Sequence, residues 1–224
     1  MITPLSGVIF DFDGVIADTE SLHLKAYQET LSKTLLSLSE EDYYNCYLGY
    51  DDVGVFTALA NSQGISIDNE QLRQWIQEKG DRFDALIGQM PTLFPGAATC
   101  IKQLAAIAPL GIASGALRKE IETILSRVNL RQYFKTIVAA NDVKHSKPEP
   151  DVYLRTVELI TKIGGRQKDL NFVAIEDSRW GIEAAQSAGL VCIAVTHSYT
   201  AKELNQADLV VTDLSEIYPK RLEK

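Results

Sequence analysis

Val8-Ile9-Phe10-Asp11-Phe12-Asp13-Gly14-Val15 is the stretch on which the reading of the whole chain turns. Its apolar run does not alternate with polar residues, as expected of a strand covered on both faces, and it ends abruptly in aspartate and glycine. Side chains two apart in a strand share a face, so Asp11 and Asp13 are predicted to point the same way. Carboxyl ends of parallel strands are where α/β sheets place their ligands, and paired carboxylates there require a cation or a proton between them. Read alone, the pair is also compatible with turn-forming aspartates that cap the following helix.

Working outward, further Val/Ile-rich runs occur at Leu110–Ala113, Thr136–Ala140, Phe172–Ile175, Val191–Val195 and Leu209–Val211. Helix-period segments lie between them at Ala97–Ala108, Arg118–Val128, Val152–Ile163 and Gly181–Ala188. Alternating strand and helix signals predict an α/β fold with a Rossmann-like, doubly wound parallel sheet. One stretch breaks the rhythm. From Asp18 to Met90 only helical patterning is present, with Leu22, Ala26, Leu31 and Leu35 on one spacing and Leu72, Trp75, Ile76 and Phe83 on another. Met90-Pro91 and Phe94-Pro95-Gly96 punctuate its end. The expected organisation is a core of residues 1–17 and 91–224 with a helical insertion, residues 18–90, after the first strand.

The 224 residues are enough for such a core plus a smaller partner, and 46% hydrophobic with 23% charged residues excludes disorder. A formal charge of -8 argues against nucleic acid or an anionic membrane as partner. No apolar run reaches the roughly 18 residues a membrane span needs. No export signal is visible, and Cys46, Cys100 and Cys192 show no ligand spacing, so buried reduced thiols and a cytoplasmic location are expected.

A second acidic pair, Glu176-Asp177-Ser178, follows the run Phe172–Ile175. If the two strands lie side by side, up to four carboxylates converge and a hard cation, Mg²⁺ being the usual one, becomes close to obligatory. Capping of the helix from Gly181 is the other reading of this pair. Ser114-Gly115-Ala116, after another strand, offers a hydroxyl and backbone N–H groups to a phosphoryl oxygen, although Ser-Gly is also an ordinary loop. In Ser146-Lys147-Pro148-Glu149-Pro150-Asp151 the prolines stiffen the backbone and aim Lys147 at a set point.

In combination and in this chain order, these four blocks resemble the motif set of the haloacid-dehalogenase-like superfamily. The helical insertion resembles the C1-type cap of the branch with phosphoglycolate-type phosphatases and β-phosphoglucomutase, and Asp18-Thr19-Glu20 with His23 resembles its hinge region. The resemblance implies that Asp11 attacks phosphorus to form an aspartyl phosphate, and that Asp13 protonates the leaving oxygen and then activates water. It further implies Mg²⁺ held by Asp11, the Asp13 carbonyl and Asp177, with Glu176 close by. Ser114 and Lys147 would hold the phosphoryl group, next to Gly115 and Ala116, while Thr19, His23 and Lys79 would meet the substrate. The second aspartate argues against dehalogenation, because halide leaves without a proton.

Within the insertion, Gly49-Tyr50-Asp51-Asp52 stands where the mutase pattern has Gly-x-Ser-Arg, and a carboxylate there would repel a second phosphate. The expectation is therefore a phosphatase for a small phosphorylated metabolite such as a sugar phosphate, working as a monomer or weak homo-oligomer. A sugar phosphomutase is the alternative, with Arg82 or Arg118 supplying the missing guanidinium, and a non-catalytic binding module stands further off. Lys79 reads either as substrate-facing or as a solvated helix lysine, and His23 as a hinge or a surface histidine. Tyr43, Tyr44, Tyr47 and Tyr50 are expected to pack the insertion, and Arg179 and Trp180 to pack a helix start. His145 receives no role. The insertion is expected to close over the core, with hinges near Gly14–Asp18 and Met90–Pro95.

Overall fold

A computed structural model describes residues 5–48, 50–87, 93–164 and 170–222. The chain divides into two compact units, Met1–Asp18 with Thr92–Lys224, and Thr19–Pro91. The first is built on β1 (Gly7–Phe10), β2 (Leu110–Ala113), β3 (Phe134–Val138), β4 (Phe172–Glu176), β5 (Val191–Val195) and β6 (Leu209–Val211). All pair in parallel, in the order β3-β2-β1-β4-β5-β6. This is the Rossmann-like doubly wound sheet, and its strand order reverses between β1 and β4. β1, β2 and β4 are buried over their whole length, which is why their sequences run apolar without alternation.

Helices α5 (Ala97–Ala105), α6 (Arg118–Arg127), α7 (Asp151–Gly164), α8 (Arg179–Ser187) and the short α9 (Pro219–Leu222) complete this unit. α7 packs across β1, β2 and β3, and α8 packs on β4 and β5. The core joins Ile9, Ala113, Val138, Tyr153, Ile160, Ala174, Ile182 and Cys192. Several boundaries shift from the sequence reading, α5 for instance ending at Ala105, and two of the shifts have a visible cause. β3 starts at Phe134 rather than Thr136, because Phe134 pairs with Leu110 and sets its ring edge-on to Phe10; the chain then turns at Ala140–Asp142. α8 starts at Arg179, two residues early, because Ser178 accepts the amide of Gly181 at 3.1 Å and caps the helix.

The second unit holds α1 (Glu20–Leu31), α2 (Glu40–Asp42) leading into a wide turn at Tyr43–Tyr47, α3 (Asp52–Ser62) and α4 (Asn69–Ile87), with no strand among its described residues. α1 lies on α4, and Leu24, Tyr27, Leu31, Val55, Phe56, Leu59 and Trp75 form a separate core. Leu35 departs from the expected apolar stripe. α1 ends at Leu31, so the helical period stops, and Leu35 is 89% exposed while Leu36 and Leu38 turn inward. Tyr43 and Tyr47 pack this core, whereas Tyr44 and Tyr50 are exposed. Cys100 and Cys192 are buried, but Cys46, in the wide surface turn, is exposed, contrary to the expectation of three buried thiols. Gly49 and Met90-Pro91 lie outside the described residues, and among those described no helix is long and apolar enough to cross a membrane.

Ile9 is fully buried on the central strand, so Ile9→Ala is expected to lower unfolding free energy by about 3 kcal/mol in urea titrations. Leu35→Ala, at a residue 89% exposed, is expected to change it by less than about 0.5 kcal/mol.

Candidate active site

Ladder hydrogen bonds fix where each strand tip ends. The amide of Asp11 still donates to the Ile175 carbonyl of β4 at 2.9 Å, and that of Ser114 donates to the Val138 carbonyl of β3 at 3.0 Å. Asp11, Ser114 and Glu176-Asp177 therefore sit on adjoining tips around the point where strand order reverses. There the carboxylates of Asp11, Glu176 and Asp177 offer oxygens that all lie within 4.8 Å of one another, and all three residues are buried. Lys147 enters from the loop before α7, its Nζ 2.8 Å from Asp11 Oδ1 and 2.5 Å from Glu176 Oε1.

The carboxylate of Asp13 is not part of this group. β1 ends at Phe10, and the chain then turns tightly, with Ile16 and Ala17 amides donating to the Phe12 carbonyl and Gly14 at φ +74°. Past the strand end the two-residue alternation no longer applies, so three carboxylates converge rather than four. Capping does not explain the second acidic pair either, since the hydroxyl of Ser178 performs it.

Charge is badly balanced here. Burial, opposed by Lys147 and reinforced by Glu176, pushes the Asp11 carboxyl up to about 6. Burial, with Glu176 and then Asp11 adding repulsion, holds Asp177 well above the usual carboxylate range, and the hydroxyl of Ser198 and Lys147 pull it only partly back. Burial weighs against the charged form of Lys147, but Asp11 and Glu176 outweigh it and raise its pKa above the usual lysine value. One ammonium among three buried carboxylates leaves the cluster short of positive charge. An all-oxygen donor set with that deficit fits a hard divalent cation. Glu176 differs from its neighbours in being fully engaged by protein donors. Lys147 and the Tyr153 hydroxyl, at 2.6 Å, donate to one of its oxygens, and the hydroxyl of Ser178, at 3.2 Å, donates to the other. Gly181 leaves room for it, because a Cβ there would fall 1.9 Å from the Glu176 carboxyl carbon.

The remaining predicted residues divide between the units. Ser114 is buried at the tip of β2, and its Oγ accepts the Ala116 amide at 3.1 Å, so that amide is occupied locally; Gly115 is exposed with open space beside its Cα. In the helical unit, Thr19 is fully buried at the start of α1. Lys79 and His23 are brought together. Lys79 is only 2% exposed and is no solvated helix lysine; its Nζ donates to His23 Nδ1 at 2.8 Å and pairs with Asp52 at 2.8 Å, above the rings of Tyr27 and Phe83. The His23 ring stacks on Phe83, and burial followed by the Lys79 charge keeps it neutral, its pKa well below the usual value.

Other expectations meet corrections. Trp180 does not pack a helix start; half its surface is exposed, with the Arg179 guanidinium over its ring, because α8 presents this first turn to solvent. His145 has a partner, Asp151, at 3.0 Å. Tyr153, Ser198 and His197 escaped the sequence reading. Tyr153 is hidden in an apolar helix pattern, and the other two carry no motif beyond following the tip of β5. Removing the ammonium by Lys147→Met leaves buried carboxylates uncompensated, and the variant is expected to lose about 3 kcal/mol of stability in urea unfolding at neutral pH.

The profile of the family described as haloacid dehalogenase-like hydrolase matches residues 8–195. The chain is 30% identical over 196 residues to a phosphorylated carbohydrates phosphatase of Thermotoga maritima, with 87% of each chain covered. It is 28% identical over 190 residues to the fructose-1-phosphate phosphatase YqaB of Escherichia coli, covering 85% of this chain and 96% of that one. The fold is similar to the crystal structure of CbbY from Rhodobacter sphaeroides in complex with phosphate, with a TM-score of 0.81, 25% identity, and coverage of 95% of this chain and 96% of the other. Sheet order, the acidic strand tips and these likenesses agree, and the chain belongs to the haloacid dehalogenase-like hydrolase family.

Proposed function

We propose that this protein is a Mg²⁺-dependent phosphatase that hydrolyses the phosphate monoester of a small metabolite, a sugar phosphate or similar, through an aspartyl phosphate on Asp11. The observation that carries the reading is the meeting of Asp11, Glu176 and Asp177 at adjacent strand tips with Lys147 bonded between Asp11 and Glu176. Phosphoryl transfer needs positioning and charge neutralisation more than elaborate covalent chemistry, and this arrangement suits that need. Two relatives carry the names of sugar-phosphate phosphatases, which supports the substrate class.

In the proposed mechanism an Asp11 oxygen attacks phosphorus while Asp13 gives its proton to the departing ester oxygen, so a P–O bond forms as another breaks. Asp13 then takes a proton from water, whose oxygen attacks the same phosphorus and frees Asp11 and inorganic phosphate. Splitting the displacement this way makes each step easier. Lys147 steadies the equatorial oxygens and the nucleophile, and Glu176 holds Lys147 in place with Tyr153. Ser114 and Gly115 are assigned to the phosphoryl oxygens, and Ala116 would join them by releasing its amide from Ser114 Oγ. Asp11, the Asp13 carbonyl and Asp177 would hold Mg²⁺, with Glu176 beside them; the ion would offset the repulsion between anionic nucleophile and anionic ester.

The helical unit is assigned the role of a substrate-selecting cap, with Thr19, His23 and Lys79 toward the substrate. Hydrolysis is preferred over mutase action because Lys79 and Arg118, two of the three cations that could take a second phosphate, are already engaged, while Arg82 is only loosely paired. Asp52 takes up Lys79 at 2.8 Å, Arg82 lies 3.8 Å from Glu29, and Arg118 donates to the Ile137 carbonyl and to Asp142 at 2.7 and 2.6 Å.

Asp11→Asn keeps the shape and removes the nucleophile, so turnover of p-nitrophenyl phosphate is expected to fall at least about 1,000-fold. Chelator is expected to abolish wild-type turnover and Mg²⁺ to restore it; full activity of Asp11→Asn, or of the wild type in excess chelator, would end the proposed mechanism. With β-glucose 1-phosphate and a trace of the bisphosphate, free phosphate is the expected product. Glucose 6-phosphate appearing without comparable phosphate would reassign the protein as a mutase.

A further inference from the structure

Asp177 stands one residue beyond the end of β4, where no ladder bond constrains it. Its carboxylate Oδ2 instead accepts the hydroxyl of Ser198, which lies on the segment following β5. The serine donates and the carboxylate accepts, and beside a cation, where Asp177 would be ionised, the bond would be charge-assisted. The contact is packed as well as bonded. A Cβ on Gly14 would fall 1.9 Å from Asp177 Oδ2 and 2.9 Å from Ser198 Oγ, so backbone, carboxylate and hydroxyl are pressed together at one point.

What holds Ser198 there is its neighbour. His197 Nδ1 lies 2.8 Å from the Gly14 carbonyl; a carbonyl only accepts, so Nδ1 carries the proton and donates. The imidazole also stacks on Phe94, with ring centroids 3.9 Å apart and planes at 12°. Phe94 in turn donates its amide to the Ile16 carbonyl at 3.0 Å, and Ala17 bridges to Leu93. The segment after β5 is thus clamped to the turn that carries Asp13 and to the segment leading into α5, and Ser198 is delivered to Asp177 from a fixed backbone.

We propose that Ser198 is a positioning residue for the metal site, fixing the torsion of the Asp177 carboxylate so that its other oxygen faces the cation shared with Asp11. The inference rests on the metal site of the proposed function. A hydrogen bond of this kind behind a ligating carboxylate is typically worth 10- to 100-fold in metal affinity.

Mn²⁺ binding to the full chain, followed by the loss of the free-ion electron paramagnetic resonance signal, tests this without turnover. Ser198→Ala is expected to weaken Mn²⁺ binding about 10-fold, and Ser198→Thr, which keeps the hydroxyl, to stay near wild type. Unchanged affinity in Ser198→Ala overturns the proposal, as does equal weakening in both variants. Should Ser198→Ala fail to fold, Ser198→Thr decides alone, since affinity below wild type there overturns it. A wild-type protein that binds no Mn²⁺ would sink the metal site itself. Wild-type binding matched by Ser198→Ala would sink only the role of the serine.

Discussion

Lys147 bridging Asp11 and Glu176 is the contact on which the rest of the site depends. Three buried carboxylates at one strand-tip junction repel one another, and burial removes the water that would screen them. A single ammonium relieves part of that repulsion and ties the tips of β1 and β4 to the loop before α7. The remaining deficit of positive charge is not a defect of packing. It is the property on which the proposed binding of a divalent cation, and with it an anionic ester, rests.

The sheet prepares this junction. Because β1 lies between β2 and β4, the chain leaves its tip toward one side and returns to the other, so no crossover covers the gap. Small residues then let charged groups approach. Gly14 and Gly181 stand where any Cβ would collide with Asp177 or Glu176. The two acids of the second pair are consequently set to different tasks by their surroundings. Both oxygens of Glu176 accept from protein donors, and it serves the lysine. Asp177 is held from one side by Ser198 and remains the better candidate ligand.

The helical unit repeats the theme in a different chemistry. Asp52, Lys79, His23 and Tyr27 form a partly buried polar chain that meets the apolar core at Tyr27, with Tyr27 donating to Asp52 at 2.6 Å. Asp52 was legible only as a missing arginine. Its structural role, neutralising a buried lysine, depends on residues 25 and 27 positions away along the chain. A unit whose lysine is already paired with a carboxylate is poorly equipped to grip a second phosphate.

Sequence alone determined the layers of the fold and most of its elements, because fully buried parallel strands must be apolar throughout and the helices must carry a 3.6-residue period. It also determined which acids end β1 and β4, since few other reasons place carboxylates directly after such runs. The convergence of Asp11 with Asp177, 166 positions later, follows only from β1 lying beside β4. What tertiary structure alone decided is the division of labour among those groups: the carboxylate of Asp13 left out of the cluster by the turn after Phe10, Glu176 turned to Lys147 and Tyr153, and Ser198 brought to Asp177. Hydrogen bonds between side chains on separate segments leave no period or motif in a sequence. They exist only once the ladder has fixed which tips are neighbours, and that is why Ser198, His197 and Tyr153 were invisible beforehand.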